Sequence, residues 1–225
     1  PQPDLCRTCV RAGFSTFKPF GLNHVGLSSL VSPDEAKHEI EIAREKASEV
    51  LRTQKANGVD DHGLAGALRF FARSTLPDGP YERQVLERYL AAAQITENAT
   101  RSLLSQRRFD VVVAHHGIYT PQGAIARVAE ETATRLVTWH PSYRRGRVIF
   151  EHDQTYHRGM ISEPIERWRS RPLSATQRAD LESYLASRMT GSQDWITFQR
   201  RAPQNRFELE RTLGFSFEKP TFLLL

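Results

Sequence analysis

The 225-residue chain reads as an α/β protein, a Rossmann-like parallel sheet flanked by helices. Three observations carry this reading. Phe109-Asp110-Val111-Val112-Val113-Ala114 is a continuous β-branched run, the pattern of a strand buried on both faces. A short apolar-periodic segment and a second run, Arg135–Trp139, follow it, and strand–helix–strand at this spacing implies parallel strands joined by a right-handed crossover. Upstream, two long segments repeat apolar residues at intervals of three and four, as amphipathic helices do.

Taken in order, residues 1–30 mix Phe14, Phe17 and Phe20 with glycines and read as irregular chain. Ser32-Pro33-Asp34-Glu35 is a capping box with proline where a helix can spare an N–H. Ala36, Ile40, Ala43, Ala47, Val50 and Leu51 then form one stripe, and Asn57-Gly58 supplies a stop. Leu64–Phe71 is ambiguous between helix and strand. Leu76–Pro80 is a turn, and Tyr81 to about Gln106 is a long helix with Val85, Leu86, Leu90 and Ala93 on its apolar side. After the first strand come Pro121, a short helix with Ala124, Ile125, Val128 and Ala129, the second strand, and a third at Arg147–Phe150. Ser174-Ala175-Thr176-Gln177 opens another capped helix, Ser187–Pro203 is a polar loop, and Arg206–Leu213 is a last helix ended by Gly214. The chain opens on Pro1, so a start further upstream is expected. Lys219–Leu225 reads as a new buried strand, so 1–217 is taken as one domain and 218–225 as the entry to a second.

Composition excludes several classes. Hydrophobic residues make up 39%, an ordinary globular share. No apolar run approaches the roughly 20 residues of a membrane helix. The net charge is +5, and 26 of the 31 basic residues are arginine. These are dispersed over the chain, so nucleic acid is not an expected partner. Cys6 and Cys9 form one CxxC pair without the second pair that a structural zinc site would need. Neither GxSxG, nor a Walker loop, nor GxGxxG occurs.

The candidate chemistry gathers where strands end, because ligands of open α/β sheets sit beyond the carboxyl ends of the strands. His115 and His116 stand at that end of the first strand, followed by Gly117 and Tyr119. Either imidazole can serve as general base or bind a ligand near neutral pH, or else cap buried carbonyls. Gly117 leaves room for a ligand to approach the backbone. His140 follows the second strand, with Arg144 and Arg145 close behind. Glu151–His157 is the densest polar string and holds Tyr156 and His157; it lacks metal-ligand spacing, so no metal is expected.

The segments Phe109–Gly117, Arg135–Trp139 and Val148–His157, the Cys6-x-x-Cys9 pair and the closing Lys-Pro-Thr-Phe-Leu-Leu-Leu together resemble bacterial capsular-polysaccharide and surface-carbohydrate glycosyltransferases. The resemblance covers about half the chain. It implies a GT-B fold, two Rossmann-like domains across a cleft, with this chain as the acceptor-side domain. It implies transfer of a sugar from a nucleotide sugar to a glycan or lipid-linked glycan, in the cytoplasm at the inner face of the membrane, with peripheral membrane contact. No cofactor is implied beyond the nucleotide-sugar donor, which the second domain would mainly hold. An inverting enzyme would take its base from His115 or His116; a retaining one would need none. Gly117, Tyr119, His140, Arg144, Arg145, Tyr156 and His157 would meet substrate. Two rival readings stand beside it: a non-catalytic module for anionic polysaccharide or nucleic acid, which calls for a basic face interleaved with aromatics, and one domain of a sugar-nucleotide epimerase.

Overall fold

The computed structural model describes residues 3–189, 193–194 and 205–221. It divides into two compact units, Pro1–Thr138 with Glu151–Thr155, and Trp139–Phe150 with Tyr156–Leu225.

The first unit opens on a helix, α1 (Pro3–Phe17), where the sequence reads as irregular chain. Val10, Phe14 and Phe17 recur at intervals of four and three and so share a face, a helical period hidden by the short stretch and its glycines. Next is α2 (Pro33–Thr53). Its capping box forms as expected: Ser32 Oγ accepts from the Glu35 N–H at 3.2 Å, and the Glu35 carboxylate accepts from the Ser32 N–H at 2.7 Å. The helix stops before Asn57-Gly58, because Gln54 takes the left-handed cap at φ 55° and ties its side chain to Leu76. Of the expected stripe, Ala43, Ala47, Val50 and Leu51 are buried, whereas Ile40 is exposed.

The ambiguous segment is helical. In α3 (Val59–Phe71), Gly63 and Gly66 face Leu90 and Tyr89 of α4 (Pro80–Gln106). A β-carbon at Gly63 would stand 3.0 Å from Leu90 Cα, and one at Gly66 would run into the Tyr89 ring. These glycines, unfavourable in an isolated helix, let α3 and α4 approach closely. Helices α2, α3 and α4 enclose the main core around Leu51, Leu64, Leu86 and Leu90.

Then follow β1 (Val111–His115), α5 (Gln122–Glu131), β2 (Arg135–Pro141) and β3 (Val148–His152), in the sheet order β1-β2-β3. The β-α-β unit is present, with β1 beside β2. The sheet is mixed rather than parallel. Asp153 donates its N–H to the Leu136 carbonyl and Ser142 to that of Arg147, the descending register of an antiparallel β2–β3 hairpin. Nor is β1 buried on both faces. Ala114 packs with Ala126, Ala129 and Leu136 under α5, but Val111 and Val113 on the other face are 42% and 59% exposed. A three-stranded sheet with β1 at its edge has α5 over one face, so the β-branched run signals a strand without implying double burial.

One ionic cluster joins the helices to this β-α-β segment. Glu97 on α4 is buried at 7% exposure. It accepts from Arg101 at 2.6 Å and lies 3.9 Å from Arg127 of α5, and Glu131 pairs with both arginines. The bonds to Glu97 and then Glu131 hold the Arg101 guanidinium above its ordinary pKa.

The second unit holds the hairpin residues Trp139–Phe150 of β2 and β3 and, from Tyr156 on, α6 (Tyr156–Ser162), α7 (Glu166–Arg169), α8 (Ala175–Arg188) and α9 (Arg206–Leu213). Ser174 caps α8 and Gly214 ends α9, as the sequence indicates. No described aliphatic or aromatic side chain of this unit is buried; Leu181 and Leu185 of α8, and Met189 just after it, are exposed. Most of the polar loop, and residues 222–225 of the expected terminal strand, lie outside the described residues, while Lys219–Thr221 is not strand.

Removing the buried carboxylate leaves two arginines with a single acceptor. Glu97→Ala is expected to lower stability by about 1–3 kcal/mol, with half-exposed partners keeping the loss below that of a fully buried pair. The urea midpoint should fall while the transition slope is unchanged. Glu49→Ala, which breaks only an exposed pair with Arg52, should leave the midpoint nearly unchanged.

Candidate functional site

The expected site residues divide between the two units. His115, His116, Gly117 and Tyr119 belong to the first; His140, Arg144, Arg145, Tyr156 and His157 belong to the second.

In the first unit the chain leaves β1 through two left-handed residues, His116 at φ 43° and Gly117 at φ 68°. Histidine is among the side chains that tolerate this region. Gly117 is required there for space as well, since a β-carbon would stand 3.1 Å from Thr138 Cγ2 and 3.3 Å from Ala126 Cβ. It is buried, and the room its missing side chain leaves is filled by protein. The His116 ring packs against His115, with centroids 4.5 Å apart, and lies edge-on to Tyr119 at 5.0 Å. Its Nδ1 accepts from the Ile118 N–H at 3.2 Å. In the neutral ring the proton therefore sits on Nε2, which is a donor.

An open cleft of about 310 Å³ lies here, lined by His116, Tyr119, Thr120 and Gln122 of the loop and α5, Gly66, Arg69 and Phe70 of α3, and Tyr89 of α4. His115 is not among these residues. By strand alternation it follows the face of Val111 and Val113. The Arg69 guanidinium sits over the Tyr119 ring at 4.9 Å. Thr120 Oγ1 is buried and has no hydrogen-bond partner among the described residues. The cleft thus presents a cation, an imidazole and an amide between aromatic walls, which suits a polar ligand carrying negative charge.

His62 of α3 holds the loop in place. Its Nδ1 lies 2.5 Å from the Ile118 carbonyl, and its own carbonyl accepts from the Thr120 N–H at 3.3 Å. A β-carbon at Gly123 would collide with both the His62 ring and the Ile118 carbonyl. Neither His62 nor Arg69 is singled out by motif reading. Both sit on the helix whose type was ambiguous, and only the α3–α4 packing turns them toward the loop.

In the second unit, His140 stacks on Tyr156 at 4.8 Å and Tyr156 meets His157 at 3.7 Å. His140 Nδ1 lies 2.6 Å from the Pro141 carbonyl. Burial, and then the neighbouring His140, hold His157 below the ordinary histidine pKa of 6.5. Arg144 lies over the Tyr184 ring at 5.6 Å and pairs in a β-bridge with Asp194, while the Arg145 N–H donates to Gln193. This part of the arginine loop is therefore tied to its own unit. Among the described residues no group of three His, Cys, Asp or Glu side chains is placed to hold a metal ion, and no helix is long and apolar enough to cross a membrane.

Comparison with protein-family models, curated proteins and solved structures returns no match to this chain.

The histidine pair predicts a pH signature. Because folding depresses the His157 pKa, its contribution to stability is complete above about pH 6.5 and is lost as pH falls, when the unfolded chain takes up the proton first. In an NMR titration His157 should protonate below the ordinary histidine midpoint. His140→Ala should move that midpoint up only part of the way, since burial is the larger cause.

Proposed function

We propose that the chain is the acceptor-binding part of a glycosyltransferase of GT-B type, moving a sugar from a nucleotide sugar to a surface glycan or its lipid-linked precursor. One observation carries the reading. The carboxyl end of β1 and the start of α5 open on a cleft where His116, Arg69, Tyr119 and Gln122 converge. That is where an α/β sheet takes its ligand. Aromatic walls suit the faces of sugar rings, and Arg69 suits a carboxylate or phosphate on the acceptor.

In the transfer, the acceptor hydroxyl attacks the anomeric carbon of the donor. The new C–O bond forms as the bond to the nucleotide phosphate breaks, and the nucleoside phosphate leaves with that electron pair. His116, with its proton on Nε2, donates a hydrogen bond to the acceptor and orients it. Where an inverting reaction needs a base for the hydroxyl proton, that base comes from outside the residues that line this cleft. The second domain of the fold would supply most of the donor site, and the exposed apolar side chains of the second unit give it surface to pack upon.

A panel of neutral and anionic oligosaccharides, titrated into the labelled chain, tests this. Saturable shifts at His116 and Tyr119 with an anionic sugar are expected, and Arg69→Ala should weaken binding about 10–100-fold, the loss of one charge-assisted hydrogen bond. In the complete enzyme, His116→Ala should raise the acceptor KM about 3–10-fold with kcat little changed, the loss of one hydrogen bond to the acceptor. Absence of any saturable shift in the cleft would remove the proposal's support. Binding of single-stranded nucleic acid in its place would favour the binding-module reading.

A further inference from the structure

We propose that α1 and the turns after it, through Leu27, form a docking element for a bilayer surface carrying anionic headgroups. The proposal is independent of the reading of the cleft. Val10, Phe14 and Phe17 share one face of α1, and Phe14 and Phe17 are 46% and 50% exposed. The chain then turns through Lys18–Phe20, capped by Gly21 in the left-handed region, and leaves Phe20 74% exposed, with Leu22, Val25 and Leu27 also exposed. The His24 ring lies 4.8 Å from Phe14 and 6.3 Å from Phe17, which ties the second stretch back to the apolar face of the first. The helix packs chiefly on the turn that follows it.

Charge selects the occupant. From Leu5 to Pro33 there is no aspartate or glutamate, while Arg7, Arg11 and Lys18 fall in the same stretch. Arg7 and Arg11, one helical turn apart, form a row beside Val10 and Phe14. Their stems can lie along the apolar face while the guanidinium groups reach phosphate. Thr8 and Ser15 fall on the far side of the helix. A basic row bordering an aromatic stripe, with polar residues opposite, is the arrangement of a helix lying in the plane of a bilayer interface. A bilayer also accepts apolar side chains strung over a helix and irregular turns, without the matched shape that a folded partner would have to supply.

The test is co-sedimentation of the 225-residue chain with vesicles of phosphatidylcholine alone or containing roughly a third phosphatidylglycerol. Binding to the anionic vesicles, little to the neutral ones, and release as salt is raised are expected. The variant Phe14→Ser with Phe17→Ser, and separately Arg7→Gln with Arg11→Gln, should each lower partitioning at least about tenfold, with unchanged circular dichroism from the helical core. No binding to either vesicle, equal binding to both, or binding that survives both variants overturns the proposal. So does a self-associated chain that the Phe14→Ser, Phe17→Ser variant turns into monomer without any vesicle binding, which would assign the surface to a protein contact.

Discussion

Glu97 is a carboxylate buried in the middle of a long helix, and a lone charge there would be costly. It is matched by Arg101 one turn along α4 and by Arg127 on α5, and Glu131 joins the two arginines from the other side. The cluster sets where α5 lies on α4. Once α5 is placed, Ala126 and Ala129 set the position of β1 through Ala114, and Ala124 meets Ala93 and Val59. These contacts are made by small side chains and hold the elements close, but apolar burial alone leaves rotation about a helix poorly specified. The paired charges choose one rotation. The loop from His116 to Pro121, strung between β1 and α5, inherits its position from both.

The cleft depends on a second constraint, the close approach of α3 to α4. Gly63 and Gly66 remove the side chains that would hold the helices apart. The approach brings His62 under the Ile118 carbonyl and Arg69 over Tyr119. Gly123 completes the arrangement, since only a residue without a β-carbon leaves space for the His62 ring. Three glycines on two helices, each poor for the helix that contains it, thus serve the loop between β1 and α5 rather than their own segments.

Local signals explain which elements were legible in the sequence. Ser32, Ser174 and Gly214 act within four residues of themselves, and each appears where expected. The long period of α4 and the β-α-β spacing were equally readable. Features set at a distance were not. Gln54 outcompetes Gly58 as the stop of α2 because Leu76, far along the chain, offers backbone partners to its amide. The run Val111–Val113 looks buried because β-branched residues favour strands whether one face is covered or two. His115 and His116 were found by their place at a strand end. Arg69, which lines the cleft with His116, and His62, which holds its loop, lie about fifty residues earlier, on a helix that periodicity left ambiguous.

The same geometry separates two histidines that sequence position makes equivalent. Accepting the Ile118 N–H at Nδ1 commits the neutral His116 ring to a proton on Nε2. To act as a base at Nε2, the ring would have to carry its proton on Nδ1 and give up that hydrogen bond, opening the turn that the left-handed backbone at His116 and Gly117 has set. Holding the loop and accepting a proton at Nε2 therefore compete in one ring, whereas holding the loop and donating to a ligand do not. Donation from His116 and charge from Arg69 make the cleft a place that orients an acceptor through its lone pairs. Proton removal, where the reaction needs it, falls to a side chain other than His116.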